Sequence, residues 1–245
     1  MRLYHQDNHI DLWHGDARDM SAFPDGYADL VMTCPPWWDS GDYNHPDQIG
    51  FGQVYDDYLG SMTQVWADCY RCLNPGRAII VWVADLLWRH EPTPLVADMH
   101  HTLRQTGFIY EATYHWYEPR KKERPALEEG LPFTCKPKVH AESILIYLKP
   151  GEAPHPSAET LQASRIDPDT YRAGQEAVWM PDESLGHPYE RLIRLWSYTG
   201  DTVLNPFSGQ GTIALCARKL QRRCVTVELH EDNCRHIASL LAKGH

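Results

Sequence analysis

Runs of apolar residues separated by polar breaks divide the chain into alternating extended and helical stretches. Ile10 to Trp13 reads as a short strand that stops at Gly15-Asp16, and Ala28 to Thr33 as a second, mostly apolar strand. Tyr55 to Leu73 carries Leu59, Met62, Val65, Trp66, Cys69 and Leu73 at helical spacing and stops at Asn74-Pro75-Gly76. Ala78 to Val83 is apolar throughout and rich in β-branched residues, the pattern of a strand covered on both faces of a parallel sheet. Pro94 to Thr106 has a helical period and ends at Gly107, whereas Phe108 to Tyr117 and Ser143 to Leu148 read as strands. Beyond them, Glu183 to Ser197 is amphipathic, Thr202 to Leu204 a short strand, Thr212 to Leu220 a helix and Cys224 to Leu229 a strand. Residues 39–53 and 150–176 are rich in turn-forming residues and have no convincing period, so both read as irregular. Strands alternating with helices predict an α/β fold with a doubly wound, mostly parallel sheet.

Composition narrows the class. The 245 residues are 42% hydrophobic and 23% charged, ordinary globular values. No apolar run approaches 18 residues, since the richest, Ala78 to Trp88, is broken by Asp85, and Met1 to His5 lacks the apolar core of a signal peptide. A soluble cytoplasmic protein is expected, with its seven cysteines reduced. Cys69 and Cys72 have metal-ligand spacing but no second pair, so they read as buried helix cysteines and no metal is expected. The formal net charge of -10 argues against simple electrostatic capture of nucleic acid. One segment, Pro119 to Pro125, runs the other way: Arg120, Lys121, Lys122 and Arg124 outnumber one acid, as a DNA-facing loop or an ordinary solvated one would.

Candidate chemistry sits near the C-terminus, in Asn205-Pro206-Phe207-Ser208-Gly209-Gln210-Gly211-Thr212. This run lies between a predicted strand and helix, where an α/β sheet opens a ligand crevice. Two glycines one residue apart let the backbone approach a ligand, and the helix beyond offers unpaired N–H groups. The next strand ends at Glu228, placed to accept ribose hydroxyls and to be removable with little loss of fold.

At this point the sequence resembles a known family, the S-adenosylmethionine-dependent DNA amino-methyltransferases that modify N4 of cytosine or N6 of adenine. Thr33-Cys34-Pro35-Pro36-Trp37 resembles their catalytic tetrapeptide, and Leu204 to Thr212 their Asp-Pro-Phe-x-Gly-x-Gly-Thr cofactor motif. His14-Gly15-Asp16, Pro24-Asp25-Gly26, Asp29-Leu30-Val31, His140 to Ile146, His187-Pro188 and Gly200 to Val203 match the surrounding pattern. The catalytic loop precedes the cofactor motif, the permuted order of the β class. The resemblance implies a Rossmann-like, seven-stranded sheet in one domain over 1–245, with a catalytic half at about 1–149, a variable insert at about 150–176 and a cofactor half at about 177–245. It implies catalysis by Cys34, Pro35, Pro36 and Trp37. It places S-adenosylmethionine against Asp16, Thr33, His187, Pro188, Asn205, Pro206, Phe207, Gly209, Gly211, Thr212 and Glu228. Double-stranded DNA, with its target base flipped out, is the expected partner, met by Trp38 and the four basic residues, with loops 39–54 and 118–138 setting specificity; a homodimer is allowed.

The chemistry explains the Pro-Pro. An exocyclic amino nitrogen is a poor nucleophile because its lone pair is delocalised into the ring. Two acceptors holding its hydrogens favour a tetrahedral nitrogen, and consecutive prolines present a carbonyl rigidly. Trp37 offers a stacking face for the flipped base. Two positions depart from the pattern: Cys34 stands where Asp or Ser is usual, and Asn205 where Asp is usual. A small, uncharged Cys34 is closer to the serine associated with cytosine, so N4 of cytosine is the expected target. N6 of adenine, a catalytically weak nucleic-acid-binding relative, and RNA or protein substrates stay open; C5 methylation through Cys34 fits badly, because that chemistry uses Pro-Cys-Gln.

Overall fold

The computed structural model describes residues 1–88, 91–118 and 141–242. In chain order its elements are β1 (Arg2–Gln6), β2 (Ile10–His14), β3 (Ala28–Thr33), α1 (Tyr55–Cys72), β4 (Leu73–Val83), β5 (Leu86–Trp88), β6 (Glu91–Thr93), α2 (Leu95–Gln105), β7 (Ile109–Tyr117) and β8 (Ala141–Leu148), then α3 (Ala158–Ala163), α4 (Pro168–Gly174), β9 (Val178–Trp179), α5 (Pro188–Trp196), β10 (Thr202–Asn205), α6 (Thr212–Lys219), β11 (Arg223–Glu228) and α7 (Glu231–Ala242). One nine-stranded sheet has the order β1-β2-β11-β10-β3-β4-β8-β7-β9, and β5 pairs with β6 apart from it. The expected count of seven is therefore corrected. β1 folds back antiparallel on β2 at one edge, and β9, two residues long, pairs with β7 at the other. β9 is too short to announce itself by alternation, and β1 has only the adjacent Leu3 and Tyr4 as apolar positions.

Strands β2, β11, β10, β3 and β4 are parallel, so all five carboxyl ends lie at one edge. β8 runs antiparallel to β4 and to β7, which brings its first residues and the last of β7 to that same edge. Alternate strand residues face two separate cores. Val31, Ile79, Val81, Leu204 and Val225 pack with Met62, Val65 and Trp66 of α1 and Met99 and Leu103 of α2. Leu30, Ile80, Ile146, Val203 and Cys224 pack with Leu192 and Ile193 of α5, Ile213 and Ala217 of α6, and Ile237 of α7. Burial on both faces is why the run from Ala78 to Val83 in β4 is apolar at every position. Cys69 and Cys72 lie in the first core as buried free thiols.

Two predicted stretches differ. Residues 150–176, read as irregular, contain α3 and α4, each started by a side-chain cap: Ser157 accepts from the Thr160 N–H and Asp167 from that of Thr170, with Pro168 in the first turn. Helices of one to two turns are too short to show a period. The amphipathic stretch from Glu183 is split by Gly186 at φ +69°, after which His187 caps the start of α5 through its side chain. Among the described residues no helix is long and apolar enough to cross a membrane.

Candidate active site

The carboxyl ends of four adjacent parallel strands converge on a cavity of about 290 Å³. Asp16 follows β2, Cys34 and Pro36 follow β3, Pro206, Phe207 and Gly209 follow β10, and Glu228 closes β11; all line it. The loops are tied to one another by backbone: Gly15 N–H donates to the Glu228 carbonyl at 2.9 Å, and Ser208 N–H to that of Val227 at 2.9 Å. Gly209 has φ +55° with open space where a Cβ would stand, and Gly211, at φ +81°, starts α6. Asn205 is buried, and its side-chain oxygen accepts from Phe207 N–H at 3.2 Å. An Asp oxygen would close that turn in the same way, so this departure leaves the loop intact.

Glu228 is 7% exposed. Its carboxylate accepts from the backbone N–H of Gly209 at 3.0 Å and of His230 at 2.8 Å, and from Asn233 Nδ2 at 3.2 Å. Burial nonetheless raises its pKa above the ordinary glutamate value, against these hydrogen bonds. Thr33 Oγ1, Asn205 Nδ2, Ser208 Oγ and His230 Nε2 are buried without a hydrogen-bond partner, and of these residues His230 lines the cavity.

The segment read as a specificity loop lies partly over this first cavity, which Tyr43, Asp47, Gln48 and Ile49 also line. Gln48 Oε1 accepts from Tyr43 N–H at 2.8 Å and shapes the turn. Arg18 forks onto the Asp16 carboxylate and donates to the Asp47 carbonyl at 2.8 Å, fastening the loop across the opening. His45 meets His230 edge-on at 5.0 Å. Asp39 and Asp42 are spent inside the loop on the N–H groups of Gly52 and Asn44. Composition marks this segment as a loop but carries no signal of where it folds.

A second, wider cavity of about 700 Å³ opens beside the first, and Cys34 lines both. Its walls are aromatic: Trp37, Trp82, Trp116 and Tyr189. Trp82 meets Tyr189 perpendicularly at 5.2 Å and Trp116 at 6.0 Å, and Trp37 Nε1 donates to the Trp82 carbonyl at 3.4 Å. Behind the loop, Tyr58 donates its hydroxyl to the Pro36 carbonyl at 2.8 Å. Burial, with some help from the Glu142 charge, pushes the Cys34 thiol up to about 12, so it is neutral.

The sequence-predicted residues thus divide. Asp16, Cys34, Pro36, Pro206, Phe207, Gly209 and Glu228 meet at the first cavity; His187, Pro188 and Thr212, expected with them, line the second alongside Cys34 and Trp37. Pro35 is buried in the loop between, as is Thr33 at the end of β3. Trp38 is half-buried, donating Nε1–H to the Gln53 carbonyl at 3.0 Å and packing on Tyr55 at 4.9 Å. Arg120, Lys121, Lys122 and Arg124 lie outside the described residues. Sequence reasoning misses Trp82, Trp116, Tyr189 and Glu142. The one available signal is a glutamate at the head of an apolar strand, Ala141-Glu142-Ser143-Ile144.

Comparison with known proteins gives consistent matches. The N6/N4 methyltransferase family profile, described as DNA methylase, matches residues 28–239. The type II methyltransferase M.SmaI of Serratia marcescens is 23% identical, over 89% of this chain and 86% of that protein. M.MjaI of Methanocaldococcus jannaschii, also a type II methyltransferase, is 25% identical over 89% and 86%. TTHA0409 of Thermus thermophilus, considered a DNA modification methylase and solved in complex with S-adenosyl-L-methionine, superposes with a TM-score of 0.78 at 31% identity, covering 96% of this chain and 95% of that one. The cytosine-N4-specific PvuII DNA methyltransferase shares the fold, with a TM-score of 0.70 at 16% identity over 97% and 88%.

Proposed function

Because the chain belongs to the N6/N4 DNA methylase family, we propose that it methylates the N4 amino group of cytosine in double-stranded DNA. It is an S-adenosylmethionine-dependent amino-methyltransferase, and the cofactor supplies an electrophilic methyl group on a sulfonium. The first cavity suits that cofactor: a buried carboxylate at a strand end for the ribose hydroxyls, open space beside Gly209, and His230 in the lining with an unpartnered Nε2. Glu228, Asp16 and the Pro206–Gly211 turn hold it in this reading, with the loop from Tyr43 to Ile49 excluding water above.

The second cavity receives the flipped base. Trp37 stacks on it, and the perpendicular Trp82 and Tyr189 close the sides; one such stack contributes about 1–3 kcal/mol, enough to offset much of the unstacking. The Pro35 carbonyl, fixed by consecutive prolines, accepts one amino hydrogen and turns the nitrogen lone pair toward the methyl group. The observation that carries the reading is Cys34, the side chain common to both cavities, where a transferred group must pass from one to the other.

Cytosine is supported over adenine by the same residue, small and held neutral by burial, as the serine of the cytosine-associated loops is uncharged. A neutral thiol also disfavours covalent attack on a ring carbon, which needs a thiolate. Nucleoside mass spectrometry of DNA from cells expressing the protein tests this: N4-methylcytosine is expected, and less of it with Trp37→Ala. Finding N6-methyladenine alone would move the target to adenine.

A further inference from the structure

We propose that Glu142 supplies the charged hydrogen-bond acceptor for the target amino group that Cys34, at the first position of the catalytic loop, does not. The inference rests on the second cavity being the base pocket. A neutral thiol is a weak acceptor, and Asp39 and Asp42 are occupied within their own loop. Glu142 reaches the cavity because β8 is reversed: pairing antiparallel with β4 and β7, it sets its second residue opposite Trp116 at the edge where the parallel strands end. There Glu142 lines the same cavity as Cys34 and Trp37.

Its carboxylate is fixed. Oε2 accepts from Trp82 Nε1 at 2.5 Å, which holds the side chain in the aromatic wall and leaves Oε1 for a ligand. The charge bears on both neighbours across the cavity, helping to raise the Cys34 thiol and the Tyr189 phenol. The cavity's other acids are exposed, and Asp182 already accepts from Ser184 N–H and Oγ–H. Glu142 alone among them is half-buried and anchored to the aromatic wall. An anchored carboxylate prefers a base presenting N–H at that position to one presenting a carbonyl. Its hydrogen bond strengthens as the amino nitrogen gives up its lone pair and its hydrogens become acidic.

The test uses the cavity's own tryptophans. Deoxycytidine and deoxyuridine, which differ in carrying an amino group or a carbonyl at that position, are titrated against the protein saturated with S-adenosylhomocysteine, reading tryptophan quenching. The wild type is expected to favour deoxycytidine by about 10- to 100-fold, the worth of one hydrogen bond to a charged acceptor. Glu142→Gln still offers an oxygen to Trp82, so S-adenosylhomocysteine affinity should hold while the amino preference collapses and turnover on DNA falls by at least the same factor. Adding Cys34→Ser to Glu142→Gln should recover part of the turnover by returning an acceptor to the loop. Glu142→Gln with wild-type preference and turnover would overturn the proposal and reduce Glu142 to a prop for Trp82. If the wild type makes only N6-methyladenine, the cytosine reading fails separately, and deoxyadenosine against deoxyinosine tests Glu142 in the same way.

Discussion

Replacing Glu228 with glutamine removes one charge and one acceptor from the first cavity, and the two losses have separate readouts. The carboxylate serves three donors, Gly209 N–H and His230 N–H on opposite oxygens and Asn233 Nδ2 beside the latter. An amide has a single oxygen, so its NH2 must face either Gly209 or the His230 and Asn233 pair. One buried backbone N–H left unsatisfied costs about 1–3 kcal/mol, which in a chain of this size lowers Tm by about 2–12 °C. Affinity falls for a different reason. If Glu228 holds the ribose as proposed, two hydroxyls that donate to its carboxylate lose charge assistance, about 1 kcal/mol each, and the Kd for S-adenosylhomocysteine should rise about 30-fold. Calorimetry reads the second effect and a thermal melt the first. A lower Tm with unchanged Kd would make Glu228 a strut between the glycine turn and α7 and refute its place in the cofactor site. The pH dependence has a definite sign. Burial raises the Glu228 pKa, so its protonated form favours the ligand-free fold, and that contribution is lost as pH rises through the folded value. Cofactor affinity runs oppositely, falling as pH drops from above the usual glutamate range, and Glu228→Gln should flatten that fall.

Three further outcomes are expected. Trp37→Ala should lower methyl transfer by about 5- to 150-fold, the worth of one base stack, while S-adenosylhomocysteine titrations stay at the wild-type value. Cys34, its pKa pushed up to about 12, should react with iodoacetamide at pH 8 about 100-fold more slowly than a free thiol, as read by mass spectrometry of the labelled peptide; Cys34→Ser should remain active. Neutralising Arg120, Lys121, Lys122 and Arg124 should weaken DNA binding across sequences and reduce its log–log salt slope by roughly one per lost contact, measured by fluorescence anisotropy; an unchanged slope makes the segment plain solvated surface.

The parallel core was legible because its strands are covered on both faces, and apolar runs such as Ala78 to Val83 can mean little else beside helical periods. The loops at their carboxyl ends were legible for a different reason. Pro-Pro and the paired glycines are backbone constraints, and those survive in a sequence without any partner being named. What the sequence hides is whatever depends on a distant segment. The fold of residues 39–53 over the first cavity rests on Gln48 and on Arg18 reaching Asp47, contacts without periodicity. The reversal of β8 that brings Glu142 and Trp116 beside Cys34 follows from strand pairing, not from either strand's residues. Glu228 looks dispensable to the fold as a strand-end acid, yet its three donors make it part of the fold.

That a single side chain, Cys34, borders both cavities also bears on inhibition. If the two cavities hold cofactor and cytosine as proposed, their shared border at Cys34 invites a short tether, and a compound joining an adenosine fragment to a cytosine analogue would occupy both chambers at once. Linking them would present the second fragment at an effective concentration of order millimolar, and two weak ligands would combine into one bisubstrate inhibitor whose selectivity is set by how much room residue 34 leaves for the tether.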